Sequence, residues 1–424
     1  MKLKYLKIKG EACLSGDVEV SGSKNAILPI LFSSLLVKGH HFFTNVPKLK
    51  DVEDALEMLK DLGLKTKQLQ NQLFIDNSYS FEKNPAFKKA SSFRASILCL
   101  GPLMALSYRL KLPLPGGCQI GSRPIDLHLE GLRKMGVSIS IQKKKILAIP
   151  PAKGLKACHF KLPFPSVGAT ENLIMACVLA KGTSYLENIA YEPEILDLIT
   201  YLKKMGAKIE RKKRTLKITG VKKLKALKKS YSIIPDRIEA GTWLLAGACT
   251  RGQICIKKCN PKHLSFLLKK LKSLGFKIES QSDQILLKKS NKNYPGISIK
   301  TGVYPSFPTD LQAQFMALML TLKGESSLKE TIFEKRFRYI EQLNNLGAGI
   351  QFQGSSKVYV KGPAVLKAKS ITAHDLRAGA GLILAALTSK GITKLYGLQH
   401  LERGYENLVF KLRYLGAEVK IQSP

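Results

Sequence analysis

The sequence predicts an α/β (α+β) protein of two domains, each a pseudo-threefold assembly of three repeats of about 70 residues. Three observations carry this expectation. A pattern of amphipathic helix, Leu/Met-Gly, strand, turn and strand recurs six times. A second kind of helix, apolar on most faces, recurs between those units. The chain also has 424 residues and 45% hydrophobic content, more than one ordinary core holds.

In chain order, a first strand is expected over residues 3–20. It has no unit of its own, so it is expected to complete the last domain and bring the chain ends together. The six units are 56–75, 128–148, 195–218, 264–287, 339–360 and 408–421. Their glycines are Gly63, Gly136, Gly206, Gly275, Gly347 and Gly416. Each falls where a helix ends and the chain reverses, the place for a left-handed C-cap. The following strands alternate, as in Ala207-Lys208-Ile209-Glu210, which suits a sheet with one wet face. The apolar helices are expected over 25–39, 93–106, 168–182, 239–252, 311–324 and 376–391, buried beneath the amphipathic ones. The resulting domains are 1–22 plus 234–424, holding both termini, and 23–233. Two crossings between them imply a hinge and a cleft.

Composition excludes several classes. No apolar run reaches the roughly 18–20 residues that span a bilayer. The start, Met1-Lys2-Leu3-Lys4-Tyr5-Leu6-Lys7, lacks the apolar core of a signal peptide, so a cytoplasmic enzyme is expected. Eight cysteines are scattered without a C-x-x-C pair or zinc spacing. The formal charge of +38 raises nucleic acid as a partner. However, the cations lie in runs such as Lys143-Lys144-Lys145 and Arg211-Lys212-Lys213-Arg214 along the whole chain, without interleaved aromatics to stack bases. Nucleic acid is therefore disfavoured. No Walker A, G-x-G-x-x-G, H-E-x-x-H or G-x-S-x-G motif is present, so ATP, NAD and a catalytic metal are not indicated.

The unusual polar residues open the apolar helices. Ser21-Gly22-Ser23-Lys24-Asn25 is a Gly/Ser turn before a helix, an anion site by geometry or an ordinary cap. Arg94 in Ser92-Phe93-Arg94-Ala95-Ser96 is unfavourable beside the positive end of a helix dipole unless an anion is near. In Pro235-Asp236-Arg237 and His374-Asp375-Leu376-Arg377 the Asp can cap the helix and hold the Arg, or the Arg can meet a ligand. Asp310, in Phe307-Pro308-Thr309-Asp310-Leu311, can cap its helix or act as a base. Arg336 and Arg403 sit among aromatic and acidic neighbours. Several Arg and Lys would suit a substrate carrying phosphate and carboxylate.

The most specific segment is Pro115-Gly116-Gly117-Cys118-Gln119-Ile120-Gly121-Ser122-Arg123-Pro124-Ile125-Asp126. Its glycines and prolines make a shaped loop. Arg123 can lower the Cys118 pKa, and such a thiol can serve as general acid or nucleophile.

With S-G-S-K-N, F-R-A-S, P-G-G-C-x-I-G-S-R-P-I-D-L-H, P-S-V-G-A-T-E-N, E-P-E, P-D-R-I-E-A-G-T, F-P-T-D-L-Q-A-Q, F-E-K-R-F, H-D-L-R-A and R-G-Y-E in this order, the chain resembles the UDP-N-acetylglucosamine enolpyruvyl transferases end to end. The resemblance implies an inside-out α/β barrel in two domains of three repeats. It implies transfer of enolpyruvyl from phosphoenolpyruvate to the 3′-hydroxyl of UDP-N-acetylglucosamine, with phosphate released. That is the first committed step of peptidoglycan synthesis, run without a cofactor, and nucleotide-sugar binding is expected to close the domains. Cys118 matches the cysteine that protonates phosphoenolpyruvate and can form a phosphothioketal with it, the target of fosfomycin. Asp310 matches the proposed base. Lys24, Arg123 and Arg403 match phosphate-binding cations, and Arg336 and Arg377 match groups near the carboxylate. Asn25 matches a sugar and reaction-centre contact, and Arg94 a substrate contact. Arg123, Pro124, Ile125, Asp126 and Leu127 match the nucleotide loop. Phe164, Pro165, Ser166 and Val167 match the second nucleotide strand, and Ile332 a backbone contact to the sugar. Lys335 stands where the family often has Asn, and Phe164 where some members place a cation.

Two other readings make different demands. The sister 5-enolpyruvylshikimate-3-phosphate synthases share fold and donor but lack the Gly-Gly-Cys loop. A basic nucleic-acid-binding protein on this scaffold would bind with steep salt dependence.

Overall fold

The computed structural model describes residues 4–83, 85–116, 121 and 124–423. Twelve α-helices follow in chain order among them: α1 (Lys24–Ser33), α2 (Lys50–Asp61), α3 (Leu100–Ala105), α4 (Asp126–Lys134), α5 (Val167–Cys177), α6 (Pro193–Lys204), α7 (Arg237–Cys249), α8 (Ser265–Ser273), α9 (Gln312–Met319), α10 (Ile340–Asn345), α11 (Leu376–Thr388) and α12 (Leu408–Tyr414). The odd-numbered helices are the apolar kind. Every residue of α9 is buried, as is α5 from Ala169 to Cys177. The even-numbered helices bury one stripe. In α2, Val52, Ala55, Leu56, Met58 and Leu59 face inward while Glu53, Glu57 and Lys60 stay wet.

The residue that ends each even-numbered helix explains the repeat. Gly63, Gly136, Gly206, Gly275, Gly347 and Gly416 have φ of 94°, 95°, 102°, 98°, 98° and 91°. This left-handed backbone reverses the chain into a hairpin, and glycine adopts it without a Cβ penalty.

The chain divides into two compact units. One holds residues 4–21, Gly121 and 235–423. The other holds 22–83, 85–116 and 124–234. Each has its own hydrophobic core. In the first unit α7, α9 and α11 pack together, and in the second α1, α3 and α5 do. Hairpin sheets flank the buried helices, an inside-out α/β arrangement. Five sheets have four strands and one has three among the described residues. The sheets remain separate, so the barrel implied by the family is not closed by hydrogen bonds. Among the described residues the three-stranded sheet (Leu110–Pro113, Lys145–Ile149, Ser138–Gln142) has no parallel edge strand, and residues 88–92 form turns.

Two expected elements differ. The first strand, expected over 3–20, is two strands in two sheets. Tyr5–Lys9 lies antiparallel between Ile392–Tyr396 and Val419–Gln422, while Ser15–Glu19 runs parallel to Gln253–Lys257. The break falls at Gly10, where a Cβ would lie 1.8 Å from the Ser389 carbonyl oxygen, and at Glu11 with φ 54°. The helix expected over 93–106 begins as a 3-10 turn, Arg94–Cys99, and becomes α-helical only at α3. Pro102 lies in the first turn of α3, where a missing N–H costs nothing. No described helix is long and apolar enough to cross a membrane.

Candidate active site

In the unit holding both termini, the segment before α9 carries Asp310 in a 3-10 turn, Thr309–Leu311. Its carboxylate does not cap α9. Arg336 Nη2 donates to Oδ1 at 3.0 Å, and Arg377 Nη2 donates to Oδ2 at 3.0 Å. The two arginine side chains are 4% and 5% exposed, against 28% for Asp310, so the carboxylate is the part that meets solvent. Arg336 also donates to the Thr309 carbonyl at 3.2 Å. Arg336 Nε and Arg377 Nη1 are buried and have no acceptor among the described residues. Burial pushes the Arg377 pKa down, but Asp310, Tyr405 and Asp236 together outweigh it and the net shift is upward. The site thus offers two fixed cations with donors to spare.

Asp375 caps α11, accepting from the Arg377 and Ala378 N–H groups, both on Oδ1. It leaves the Arg377 guanidinium to Asp310, which separates two roles that the sequence left combined. Asp236 caps α7 in the same way, and Arg237 lies over the Tyr304 ring, 5.5 Å from its centroid. Glu330 accepts from the hydroxyls of Thr301 and Thr309, both at 2.9 Å, and from the Ile332 N–H at 2.7 Å. The Ile332 amide is therefore occupied, which leaves its carbonyl for any ligand. Beneath Asp310, Gln314 Nε2 donates to the Asp310 carbonyl at 3.1 Å and to the Tyr405 hydroxyl at 3.0 Å. Tyr405 in turn meets Thr242 at 2.9 Å. Arg403 ends a 3-10 turn, Leu398–Arg403, and is half-buried. Lys335 is exposed beside Arg336.

In the other unit, Ser23 caps α1 by accepting from the Ala26 N–H, and Lys24 and Asn25 open that helix half-buried. Lys24 Nζ lies 3.4 Å from Asp51 Oδ2. Arg94 Nη2 donates to the Pro124 carbonyl at 2.9 Å, so it fastens the segment Pro124-Ile125 that leads into Asp126 and Leu127 at the start of α4. Asp126 is exposed. Phe164 is 44% exposed, and Ser166 caps α5 with Val167 as its first residue. Cys118 and Arg123 lie outside the described residues.

Two buried polar groups were missed in the sequence. Lys411 Nζ donates to Glu239 Oε1 at 2.6 Å and to the Ser21 hydroxyl at 2.9 Å, while Glu239 Oε2 accepts the Ser21 N–H at 2.8 Å. Burial pushes the Glu239 pKa up and Lys411 opposes it. The other group is His128 with Asn172, inside α4 and α5. The available signal was a charged or amide residue at a buried position of an apolar helix, which requires a partner.

A family model described as EPSP synthase (3-phosphoshikimate 1-carboxyvinyltransferase) matches residues 8–412. A UDP-N-acetylglucosamine 1-carboxyvinyltransferase of Bdellovibrio bacteriovorus is 45% identical over 414 residues, 97% of this chain and 99% of its own. That of Pelagibacter ubique is 44% identical over 419 residues, 99% of each chain. Among solved structures, the enolpyruvyl transferase NikO from Streptomyces tendae superposes with a TM-score of 0.91 at 23% identity, covering 100% of both chains. An EPSP synthase from Acinetobacter baumannii gives 0.78 at 17% identity, covering 99% of this chain and 100% of its own. The two structures share the fold, and the sequence relatives narrow it: this chain belongs to the enolpyruvyl transferase family and, within it, to the UDP-N-acetylglucosamine 1-carboxyvinyltransferases.

Proposed function

We propose that the protein transfers the enolpyruvyl group of phosphoenolpyruvate to the 3′-hydroxyl of UDP-N-acetylglucosamine and releases phosphate, the first committed step of peptidoglycan synthesis. The observation that carries the reading is the Asp310 carboxylate, half-open to solvent between two buried guanidiniums. A base that must take a proton from a hydroxyl beside an anionic substrate needs this setting. The arginines hold it aimed, and their spare donors suit the anion.

In the proposed reaction the Cys118 thiol protonates C3 of phosphoenolpyruvate, while Asp310 takes the proton of the 3′-hydroxyl as its oxygen attacks C2. The tetrahedral adduct carries phosphate and carboxylate on one carbon. Lys24, Arg123 and Arg403 are assigned to the phosphate, and Arg336 and Arg377 to the carboxylate. Loss of a proton from C3 and cleavage of the C2–O bond to phosphate then give the enolpyruvyl ether and inorganic phosphate. Cys118 can also add to C2 to give the phosphothioketal. Asn25, Arg94 and Ile332 are assigned to the sugar side. Arg123 to Leu127 and Phe164 to Val167 are assigned to the nucleotide. The substrates are small molecules, and no cofactor enters the scheme.

The test is phosphate release from phosphoenolpyruvate with each acceptor. Release with UDP-N-acetylglucosamine and none with shikimate 3-phosphate is expected. The reverse pattern overturns the reading in favour of the sister activity.

A further inference from the structure

Glu330 is a buried carboxylate, 4% exposed, with no role in the scheme above. Its place is set by a sheet. The strands Ser298–Lys300 and Gly324–Lys329 run parallel and end together, with Lys300 opposite Lys329. The next residue of each, Thr301 and Glu330, therefore meet at the end of the sheet. The Thr301 N–H donates to the Lys329 carbonyl at 2.9 Å, and the Glu330 N–H to the Ser356 carbonyl at 2.8 Å. Four neutral donors converge on the Glu330 side chain. Oε1 accepts from the Thr301 hydroxyl at 2.9 Å and from the N–H groups of Ile332 at 2.7 Å and Phe333 at 3.4 Å. Oε2 accepts from the Thr309 hydroxyl at 2.9 Å. A carboxylate with both oxygens engaged in this way is an acceptor of fixed orientation.

Each oxygen reaches a segment that carries an assigned role. On the Oε2 side, Thr309 directly precedes Asp310 in the turn Thr309–Leu311. Its hydroxyl is tied to Glu330 and its carbonyl accepts from Arg336 Nη2 at 3.2 Å. The residue that leads into Asp310 is thus held at its side chain and at its peptide, and the same Arg336 meets the Asp310 carboxylate. On the Oε1 side, the Phe333 N–H shares a trans peptide with the Ile332 carbonyl, and the two groups of a trans peptide point in opposite directions. The N–H directed at Glu330 therefore turns the Ile332 carbonyl away from it. Thr331 braces the segment, its N–H donating to the Thr301 hydroxyl at 2.9 Å and its hydroxyl to the Thr301 carbonyl at 2.8 Å.

We propose that Glu330 is a positioning residue for the transfer reaction. Its one carboxylate fixes the Asp310 base, through Thr309, and the Ile332 carbonyl, through the Ile332 and Phe333 N–H groups, in a common register. The proposal rests on the reading above, which assigns Asp310 to the 3′-hydroxyl and Ile332 to the sugar, and adds a residue that acts through both. The two contacts fall on one sugar, so a shared mount keeps the hydroxyl within reach of the base whenever the sugar is held. A misplacement of about 1 Å is enough to cost about 10²-fold in rate. The device is hydrogen-bond geometry rather than charge, since every donor to Glu330 is neutral.

Phosphate-release kinetics on variants, each checked for folding by a thermal melt, test the two halves separately. Thr309→Val removes one hydroxyl and cuts only the Asp310 side. It should lower kcat by about 10-fold, with KM for UDP-N-acetylglucosamine changed less than about threefold. Thr309→Ser should recover most of that loss. Glu330→Ala cuts both sides, so kcat should fall and this KM should rise, each by about 10-fold or more. Glu330→Gln should recover most of both, because its amide oxygen takes the Oε1 donors while the Thr309 hydroxyl turns to accept from Nε2. A merely structural role predicts lower midpoints without this split between kcat and KM. A folded Thr309→Val with wild-type kcat, a folded Glu330→Ala with unchanged KM, or a Glu330→Gln as impaired as Glu330→Ala overturns the proposal. If Glu330→Ala does not fold, Glu330→Asp, one methylene short of its donors, takes its place with the same expectations. Absence of any phosphate release by the wild type counts instead against the reaction. Calorimetric titration with UDP-N-acetylglucosamine then decides the Ile332 half: binding to the Glu330 variant about 10-fold weaker than to wild type supports it, and equal Kd values overturn it.

Discussion

Asp310 is the residue on which geometry and proposed chemistry converge. Two buried arginines meet it, one on each oxygen. Asp310→Asn keeps the shape but removes both the proton acceptor and the charge that balances them. The expected result is a loss of kcat of about 10²–10⁴-fold, the range of a general base. A lower thermal midpoint is expected as well, since two guanidiniums lose their counter-charge in a poorly solvated place. Phosphate-release kinetics and a thermal melt check both. A variant with near-normal kcat removes Asp310 from the role of base. A second residue makes a pH prediction. Asp197 on α6 is 6% exposed and accepts the Tyr231 hydroxyl at 2.6 Å and the Ile234 N–H at 3.4 Å. Burial, only partly offset by the Tyr231 hydrogen bond, pushes its pKa up to about 6. The unfolded value is about 3.9, so the folded state binds the proton more tightly. Stability from this group is thus fully present below about pH 4 and lost as pH rises through about 6. His128 acts oppositely, its folded pKa of about 3 withdrawing stability as pH falls below about 6.5. Asp197→Asn isolates the first effect. The difference in unfolding free energy between wild type and Asp197→Asn should drift by roughly 3 kcal/mol from pH 4 to pH 7. Urea titrations at a series of pH values measure it, and a flat difference refutes the shift.

At the scale of elements, the even-numbered helices share one device that is testable by itself. Gly206 and Gly416 have φ of 102° and 91°, and a Cβ at either would meet nothing within 4 Å. Substitution there is a pure backbone question. Gly206→Ala is expected to cost about 1–2 kcal/mol. Gly206→Asn should cost less, because Asn tolerates the left-handed region. Equal costs in urea denaturation would mean that side-chain volume and not backbone hand limits the site. The same device is why so much of the fold was legible. A glycine after Leu or Met is a local signal, and so is the apolar periodicity that separates the two helix kinds. What stayed hidden depends on partners far along the chain. The break at Gly10 is dictated by the approach of the Ser389 carbonyl, which no local pattern announces. The 3-10 start of the second apolar helix leaves Arg94 directed at Pro124 rather than at a helix dipole. Lys411 finds Glu239 across 172 positions, and His128 finds Asn172 across 44. In the site, Asp310, Arg336 and Arg377 were legible as separate motifs, but their three-way pairing was not. Asp375 sits two residues from Arg377 and was the more obvious partner.

At the scale of the whole molecule, the net charge of +38 has a structural form. On one sheet Lys7 stands directly opposite Lys394 on one side and Lys420 on the other. On another, Lys329 stands opposite Lys300 and Lys357. These six lysines form two like-charged rows across three strands each. Aromatic rings give part of the relief. Lys394 Nζ lies 5.5 Å from the Tyr5 ring centroid and Lys357 Nζ 4.5 Å from that of Tyr359. Like charges directly opposite one another weaken a sheet, and a large net charge strains the compact state as a whole. Screening should therefore stabilise this protein. Between 0.01 M and 0.15 M salt the Debye length falls from about 30 Å to about 8 Å, below the span of such a charge array. The thermal midpoint is expected to rise by about 2 °C or more over that range of sodium chloride. Lys394→Glu places an opposite charge directly across from Lys7, at one end of its row, and should raise the midpoint at 0.01 M salt, with most of the gain gone at 0.15 M. The salt dependence separates this cause from a change in packing, which would shift the midpoint equally at both concentrations. A midpoint that stays level or falls as salt is added means that local pairings such as Lys9 with Glu418 and Lys257 with Asp17 already neutralise the field where it matters.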